Sequence, residues 1–172
     1  MNIKARTKIA FVANTAWSVF NFRHGLLLRL LNDGYHVSVV APTDIFVEKL
    51  KDMGCDVFDL PMSAKGVNPF DDIKLVTSLY RYYRELKPDL IIHYTIKPNI
   101  YGSLAAKMAG IPSLAITTGL GYTFVNNNLI AKIARQLYKI AFRYPKEVWF
   151  LNEDDRQAFL AYSLVSGSKA KL

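Results

Sequence analysis

The sequence predicts an α/β fold built on a doubly wound, mostly parallel sheet. Short apolar runs alternate along the chain with longer segments that have the apolar spacing of a helix, which is typical of successive strand-helix-strand units. One run, from Asp89 to His93, is almost continuously apolar, as expected of a strand buried on both faces. With 172 residues and a hydrophobic fraction of 51%, the chain can bury the core of one domain.

Six strands and six helices are predicted, and most end at a recognisable turn or capping residue. The first helix ends at Asp33, the second strand stops before Pro42, and Gly54 follows the second helix. Pro98 suits the first position of the fourth helix, which Gly110 ends. The predicted strands are Lys8–Ala13, His36–Ala41, Cys55–Leu60, Asp89–His93, Ser113–Thr117 and Val148–Leu151. The predicted helices are Asn21–Asn32, Asp44–Met53, Asp71–Lys87, Pro98–Ala109, Asn128–Arg143 and Glu153–Ala161.

Composition restricts the compartment and the class of partner. Cys55 is the only cysteine, which excludes a disulfide framework and a cysteine-based zinc site and favours the reducing cytoplasm. The apolar run after Lys8 stops at Asn14, too early for a signal peptide, and no stretch approaches the roughly 18 to 20 apolar residues of a transmembrane helix. The net charge of +8 by itself favours nucleic acid, anionic lipid or phosphorylated ligands. Nucleic acid is not expected, because no recognition helix or aromatic RNA-binding signature occurs.

The candidate site is predicted at the edge of the sheet where the strands have their carboxyl ends. Ligands of open α/β sheets bind there, beside helix N-termini, so the loops after the first, fourth and fifth strands matter most. The sequence contains neither G-x-G-x-x-G nor G-x-x-x-x-G-K-[ST], which excludes a classical dinucleotide fingerprint and a P-loop. We expect no cofactor and no metal.

Two cationic residues of these loops lie at predicted helix N-termini, where the helix dipole disfavours positive charge. Arg23 lies with His24 in the opening turn of the first predicted helix, and Lys97 lies at the mouth of the fourth. Their shared edge predicts a site for a phosphate-bearing ligand. The alternative is that both side chains point into water, where the dipole costs only a few tenths of a kcal/mol.

The loop after the fifth strand and the end of the fourth strand supply further candidates. Gly119 and Gly121 would let the backbone approach a ligand closely, although glycines are also common in ordinary strand-to-helix turns. His93 ends the fourth strand and is either a hydrogen-bonded core histidine or a catalytic group.

The segment from Asn128 to Lys146 predicts a basic amphipathic helix. At 100° per residue its aliphatic residues fall on one arc and its cations on the opposite arc. Either the apolar arc packs on the sheet and the cations are solvated, or the cationic face lies on anionic lipid headgroups. The aliphatic residues are Leu129, Ile130, Ile133, Ala134, Leu137, Ile140 and Ala141, and the candidate membrane-facing cations are Lys132, Arg135, Lys139 and Arg143.

Three segments together resemble a known family. They are KIAFVAN…FNFRHGLLLRLLNDGYHVSVVAP, DLIIHYTIKPNIYGSLAAKMAGIP and TTGLGYTF. Their order resembles the N-terminal domain of glycosyltransferase family 4, and especially bacterial members that extend lipid-linked oligosaccharides. The resemblance covers Lys8 to about Leu160, and the KPN-x-x-G and GLG segments are its more specific parts.

The resemblance implies one half of a GT-B enzyme, in which two Rossmann-like domains face each other across a cleft. The N-terminal domain, here expected over residues 1–162, receives the acceptor. The small, polar, basic tail at 163–172 is expected to be a linker toward a domain that holds the nucleotide sugar and carries the family's E-x₇-E region. Members typically retain anomeric configuration and need no metal, and this half alone is expected to be inactive.

The resemblance also assigns residues to the cleft. Many members have histidine-x-histidine at the end of the fourth strand, but this chain has His93-Tyr94-Thr95, so a hydroxyl stands in the second place. Thr95 could hydrogen-bond a sugar but could not act as a base. His93 and Thr95 are the candidate catalytic residues. The candidate substrate-binding residues are Asn14, Arg23, Lys97, Asn99, Gly119 and Gly121.

The function implied is transfer of a sugar from a nucleotide-sugar donor to a lipid-linked saccharide, in surface polysaccharide or glycan assembly at the cytoplasmic face of the membrane. Two alternatives remain open at this point. One is a nucleotide-sugar 2-epimerase of related two-domain architecture, and the other is a non-catalytic module that binds phosphorylated ligands.

Overall fold

The computed structural model describes residues 6–62, 68–120 and 129–172. Within these ranges seven parallel strands form one sheet, which confirms the predicted doubly wound α/β fold. The strands are β1 (Lys8–Val12), β2 (His36–Ala41), β3 (Asp56–Asp59), β4 (Leu90–Tyr94), β5 (Ser113–Thr117), β6 (Glu147–Phe150) and β7 (Ala170–Lys171). The helices are α1 (Ala16–Asn32), α2 (Val47–Asp52), α3 (Pro69–Leu86), α4 (Ser103–Ala109), α5 (Leu129–Ala141) and α6 (Glu153–Ala161), and a π-helical turn, the π-turn, spans Pro98–Gly102.

The strand order is β3-β2-β1-β4-β5-β6-β7, so the direction of winding changes between β1 and β4. The chain builds outward from β1 to β3 and then returns to place β4 on the other side of β1. Helices α1 and α2 pack on one face of the sheet, through buried residues such as Leu27 and Leu50. Helices α3 to α6 pack on the other face, through residues such as Leu79, Tyr138 and Phe159. The crevice between the ends of β1 and β4 is where such sheets bind ligands.

Helix α1 begins at Ala16, five residues before its predicted start at Asn21. The side chain of Thr15 accepts a hydrogen bond from the backbone N–H of Ser18 at 3.1 Å and caps the helix. Arg23 therefore lies about two turns inside the helix and not in its opening turn. The dipole argument that marked Arg23 as a misplaced cation is wrong for this residue, because the dipole acts mainly on the first turn.

The fourth predicted helix has the predicted limits but an unexpected first part. The π-turn begins at Pro98 and continues directly into α4, and Gly110 ends the helix with a left-handed φ of +72°. The side chain of His93 lies against Gly102, where a β carbon would come within 2.5 Å of the ring. The wider turn and the missing side chain together leave room for this buried imidazole.

The tail differs from its prediction as a linker. Leu164 and Val165 are buried in the core, and Ala170 pairs in parallel with Val148 of β6. The ammonium group of Lys169 donates hydrogen bonds to two backbone carbonyls, those of Arg143 at 2.6 Å and Pro145 at 2.8 Å. These contacts extend the domain through residue 171, beyond the predicted boundary at 162.

Helix α5 turns only part of the apolar arc that the sequence marks toward the sheet. Ala131 and Tyr138 face the core, where the Tyr138 ring lies 4.9 Å from Phe142 and 5.2 Å from Phe159, centroid to centroid. Leu129, Ile133 and Ile140 of the predicted arc are instead 72%, 48% and 45% exposed. Ala141 of the same arc is fully buried and Leu137 packs against the core. The expectation that this arc packs on the sheet therefore holds only in part, because the aromatic contacts of the adjacent side fix the rotation of the helix.

The same rotation removes one predicted membrane-facing cation. Arg135 is 9% exposed, and its guanidinium lies 5.1 Å from the centroid of the Tyr162 ring. Lys132, Lys139 and Arg143 remain exposed as predicted. Among the described residues, no helix is both long and apolar enough to cross a bilayer.

Candidate functional site

The candidate site lies where β1 and β4 end side by side. Val12 of β1 pairs with His93 of β4, the last residue pair between the two strands. Asn14 and Thr95 each follow their paired residue by two positions, so the parallel register brings them to adjacent places at the carboxyl edge. The sequence predicted both residues, and the strand order explains why they are neighbours.

Thr95 has a strained backbone. Its φ of +72° lies in the left-handed region, which costs a residue with a β carbon about 1 to 2 kcal/mol and is least suited to a β-branched one. Its Oγ1 is buried without a hydrogen-bond partner among the described residues. The backbone N–H of Asn99 donates to the Thr95 carbonyl at 2.9 Å and so holds the turn in place. Strain together with an unpartnered hydroxyl is typical of a functional position.

Asn99 joins the end of β4 to the end of β5. Its Nδ2 donates to the carbonyl of Ile116 at 3.0 Å, while its Oδ1 has no partner among the described residues. The hydroxyls of Ser103, in the first turn of α4, and Thr117, at the end of β5, are likewise buried and unpartnered. Buried polar atoms are nearly always hydrogen-bonded in proteins. This group of hydroxyl and amide oxygens is therefore suited to receive the hydroxyls of a ligand or bridging water.

His93 lies below this edge and not in it. The ring is fully buried, its Nε2 is hydrogen-bonded to the hydroxyl of Tyr83 at 2.9 Å, and Gly102 lies directly against it. Burial lowers the pKa of His93 to about 3, so the imidazole is neutral at physiological pH. This environment fits a core histidine, the structural alternative that the sequence left open, better than a catalytic base.

Lys97 is neutralised by a carboxylate. Its Nζ lies 3.0 Å from Oδ1 of Asp72, and both side chains are 15% exposed. The hydroxyl of Tyr101 donates to Oδ2 of the same carboxylate at 2.6 Å. Burial, and next the hydrogen bond with Asp72, raise the pKa of Tyr101 well above its usual value. The Asp72 carboxylate thus ties the first turn of α3 to the π-turn, and Lys97 is not a cation left uncompensated for a ligand.

Arg23 keeps its charge available. Its guanidinium carbon lies 4.6 Å from the centroid of the Tyr94 ring, and no carboxylate of a described residue lies within ion-pairing distance. Tyr94 is the last residue of β4, so this contact holds a half-buried cation over the end of the strand that precedes Thr95. An anion at this edge would find Arg23 already positioned.

Gly119 has a backbone conformation that favours glycine. Its φ of +146° is one that residues with side chains rarely adopt, and no atom of a described residue beyond its chain neighbours lies within 4 Å of where a β carbon would be. It follows β5 at the same carboxyl edge as Asn99. Gly121, the second predicted glycine, lies outside the described residues.

The structure adds residues that the sequence did not single out for the site. Asp72 lies in the first turn of a predicted helix and belongs to no motif, and Tyr94, Tyr101 and Thr117 likewise carry no signal of their own in the sequence. Their roles depend on which strands and helices become neighbours in the fold. Asp72 and Lys97, for example, are 25 residues apart, a spacing that belongs to no known sequence motif. Within the described ranges, no three His, Cys, Asp or Glu side chains are grouped so that they could hold a metal ion.

Comparison with known proteins identifies the family. Residues 8–152 match the family described as "Glycosyl transferase 4-like". The chain belongs to this family. A curated relative from Campylobacter jejuni, an N,N'-diacetylbacillosaminyl-diphospho-undecaprenol α-1,3-N-acetylgalactosaminyltransferase, is 30% identical over 155 residues. The match covers 87% of this chain but 41% of the relative, so the chain spans less than half the length of that glycosyltransferase.

Solved structures support the GT-B fold of this glycosyl transferase 4-like chain. A glycosyltransferase from Rickettsia africae superposes with a TM-score of 0.71 at 16% identity, covering 97% of this chain and 42% of that one. A UDP-GlcNAc 2-epimerase from Neisseria meningitidis, solved with bound UDP-GlcNAc, gives 0.69 at 17% identity, covering 96% and 46%. Identities this low establish the fold alone. Transferases and epimerases share it, so the fold does not choose between them.

Proposed function

We propose that this chain is the acceptor-binding half of a retaining glycosyltransferase, which transfers a sugar from a nucleotide-sugar donor to a lipid-linked saccharide. The family match and the acceptor named in the C. jejuni relative, a diphospho-undecaprenol-linked sugar, support this proposal. The observation that carries it is the edge at β1 and β4. There the Arg23 cation, which has no carboxylate partner among the described residues, lies over the strand end that precedes Thr95, whose backbone is strained and whose hydroxyl has no partner within the same ranges. Diphosphate and sugar hydroxyls are the two chemistries that such an edge recognises.

Each edge residue has a proposed role. Arg23 binds the diphosphate of the acceptor, because its guanidinium can form paired hydrogen bonds to phosphate oxygens. Thr95 and Asn99 bind sugar hydroxyls through oxygen atoms that have no hydrogen-bond partner among the described residues. Asn14 and the backbone at Gly119 complete the walls of the site. Lys97 acts indirectly, by fixing the π-turn that carries Asn99.

We further propose that the enzyme works at the cytoplasmic face of a membrane. A polyprenyl-linked acceptor is held in a bilayer, and the exposed cations Lys132, Lys139 and Arg143 would favour an anionic surface. The nucleotide sugar is proposed to bind a second domain, and no cofactor is required in this scheme.

The binding step can be tested with this chain alone. Farnesyl-diphosphate-linked N-acetylglucosamine is titrated calorimetrically against the wild type, Arg23→Gln and Arg29→Gln. We expect Arg23→Gln to weaken binding about tenfold or more, since a charged hydrogen bond to phosphate contributes about 1.5 to 3 kcal/mol. Arg29 is an exposed residue of the same helix, paired with Asp33, so its replacement is the matched control. Equal losses in both variants would contradict a specific role for Arg23.

The transfer step needs the full-length enzyme. Incubation with UDP-N-acetylhexosamines and the same lipid-linked acceptor is expected to lengthen the acceptor by one sugar. Conversion of the nucleotide sugar to its 2-epimer without any acceptor would instead establish the epimerase alternative. Binding of inorganic phosphate as tightly as the acceptor, with neither reaction, would favour a phospholigand-binding module.

A further inference from the structure

Three buried polar side chains lie beneath the π-turn, at the level where β4 and β5 end. Asn99 belongs to the π-turn, Ser103 begins α4 and Thr117 ends β5, and each of the three is at most 1% exposed. The buried residues around them on this side of the sheet are mostly apolar, as expected of a core. Polar groups in such a place need hydrogen-bond partners, because burial has removed their contacts with water.

The strand register and one hydrogen bond bring Thr117 and Asn99 together. His93 of β4 pairs with Ala115 of β5, so Thr117, two residues beyond Ala115, turns its side chain to the same face of the sheet as His93. Asn99 lies over that face, because its Nδ2 donates to the carbonyl of Ile116 at 3.0 Å. The amide of Asn99 is therefore held beside the residue that precedes Thr117.

Ser103 reaches the same region from the helix. It follows Asn99 by four residues, about one turn, so the two side chains leave the helix on nearly the same side. Gly102, the residue before it, lies directly against the ring of His93. A strand, the π-turn and α4 thus each contribute one polar side chain to a small buried region.

The three side chains do not satisfy one another. Asn99 Oδ1, Ser103 Oγ and Thr117 Oγ1 each have no hydrogen-bond partner among the described residues. Either hydroxyl could donate to the amide oxygen, but neither is placed to do so. The backbones of Ser103 and Thr117 are fixed in α4 and β5, and the amide of Asn99 is fixed by Ile116. A group that bridges the three oxygens would satisfy all of them.

The chemistry of these oxygens defines the bridging group. An amide oxygen only accepts hydrogen bonds, whereas a hydroxyl donates one and also accepts. A phosphate or carboxylate could accept from Ser103 and Thr117 but would repel the oxygen of Asn99. Divalent cations prefer more oxygen ligands and carboxylates among them, and these three ligands are uncharged. A small group with an O–H bond, which can donate to Asn99 and accept from a hydroxyl, matches the set.

We propose that Asn99, Ser103 and Thr117 form an inner pocket for one hydroxyl group, which is a water molecule in the free protein. Buried waters typically make about three hydrogen bonds to polar groups that otherwise lack partners. The water fixes the Asn99 amide from the side opposite Ile116, so Ser103 and Thr117 are positioning residues for Asn99. A hydroxyl of the acceptor sugar is the other source of the same chemistry. The pocket itself does not depend on the proposed function, but its effect on acceptor binding rests on it.

Isosteric replacement distinguishes a bridged hydroxyl from one without a partner. Thr117→Val removes the hydroxyl and keeps the shape, so loss of a bridging water should lower the urea midpoint by about 0.5 M or more. Removal of an unpartnered hydroxyl would instead raise the midpoint. Thr77→Val is the matched control and should change little, since Thr77 is exposed and bonds only to its own helix. Ser103→Ala is compared with Ser78→Ala in α3, which corrects for the higher helix propensity of alanine.

A high-resolution crystal structure of the free protein locates the bridging group directly. We expect one density peak within about 2.7 to 3.2 Å of all three oxygens in the wild type. The peak should persist in Thr117→Ser, which keeps the hydroxyl, and disappear in Ser103→Ala with Thr117→Val, which leaves the amide oxygen of Asn99 as a single partner. Circular dichroism spectra identical to that of the wild type confirm that the variants are folded.

Calorimetric titration with farnesyl-diphosphate-linked N-acetylglucosamine tests the positioning role. We expect Ser103→Ala with Thr117→Val to weaken binding several-fold, because the Asn99 amide is no longer fixed, and Thr117→Ser to bind like the wild type. If the wild type itself does not bind this acceptor, the proposed function fails, while the unfolding and crystallographic measurements still test the pocket.

The outcomes separate water from sugar as the source of the hydroxyl. A lower midpoint together with weaker acceptor binding supports the water and its positioning role, and a lower midpoint with unchanged affinity would overturn that role. A raised midpoint with weaker binding would assign the pocket to a sugar hydroxyl. A raised midpoint with unchanged affinity, or a crystal structure in which Ser103 or Thr117 bonds directly to Asn99, would overturn the proposal.

Discussion

A β carbon at residue 102 would lie 2.5 Å from the imidazole of His93, so the π-turn can pass over this buried histidine only with glycine at that position. The ring cannot retreat, because it is fully buried and hydrogen-bonded to Tyr83. The π-turn in turn carries Asn99 to the carbonyl of Ile116. The geometry of the candidate site thus depends on a packing contact in the core beneath it.

The first prediction concerns this contact. Gly102→Ala should lower the free energy of unfolding by about 1 to 3 kcal/mol, because overpacking a rigid core costs that much even after the gain in helix propensity. Gly25→Ala, in the exposed middle of α1 with no atom within 4 Å of the new carbon, should be stabilising by up to about 1 kcal/mol. Urea unfolding measures both variants. A Gly102→Ala protein as stable as the wild type would show that the imidazole has room to move.

The second prediction concerns pH. Since burial lowers the pKa of His93 to about 3, the unfolded chain binds a proton below about pH 6.5 that the native state does not bind. The contribution of His93 is fully present above that pH, and the free energy of unfolding should fall by about 1.4 kcal/mol per pH unit below it. Urea unfolding between about pH 7 and about pH 5 should show this slope, and His93→Gln should reduce it.

If the His93→Gln variant does not fold, the pH prediction can be tested directly on the wild-type protein. The imidazole resonances of the wild-type protein, followed by NMR, should show His93 neutral throughout the range in which the protein stays native. Protonation of His93 near pH 6 would show that the ring is solvated and would contradict the burial argument.

The third prediction concerns the strained turn. Thr95→Gly should raise the free energy of unfolding by about 1 kcal/mol, because glycine accepts the left-handed conformation at no steric cost. The same change should weaken binding of the lipid-linked acceptor several-fold through loss of the hydroxyl. Lys87→Gly is the control, since Lys87 also has a positive φ but ends α3. Lys87→Gly should gain stability without any change in its affinity for the acceptor. A loss of affinity in this control would show that glycine substitution affects the whole domain and not the Thr95 hydroxyl alone.

The fourth prediction concerns the ion pair beneath the π-turn. Lys97 and Asp72 are 15% exposed, so a double-mutant cycle with Lys97→Met and Asp72→Asn should give a coupling of about 1 to 3 kcal/mol. The pair Arg29 and Asp33 is a suitable comparison, because its side chains are 77% and 44% exposed and screening should leave a much smaller coupling. Equal couplings would mean that Lys97 is as solvated as a surface cation.

Most of the secondary structure followed from local signals in the sequence. The limits of β2 at His36–Ala41, β5 at Ser113–Thr117 and α6 at Glu153–Ala161 were predicted to the residue, from apolar patterning and capping residues. The first helix was predicted too short, because its start depends on a Thr15 side chain that caps Ser18. Residues 163–172 were mistaken for a linker, because a two-residue strand has no periodicity to detect.

The candidate site was predictable in part. The loops after β1, β4 and β5 supplied Asn14, Thr95, Asn99 and Gly119, because parallel strands place all their carboxyl ends at one edge. The partner of Lys97 was not predictable from the sequence, because Asp72 lies 25 residues away, in the first turn of α3. The sequence does not distinguish Arg23, which has no carboxylate partner among the described residues, from Lys97, which is neutralised by Asp72.

The doubly wound fold with its working edge, and the resemblance to a glycosyltransferase domain, were determined by the sequence alone, because alternating periodicities and turn residues act locally. Only the tertiary structure decided which side of α5 faces the sheet. The sequence identifies an apolar arc, but the free energy of packing favours the aromatic contacts of Tyr138 and Phe142 on the adjacent side. The leftover aliphatic stripe is consequently exposed, since contacts between distant residues, and not the pattern of one helix, set its rotation.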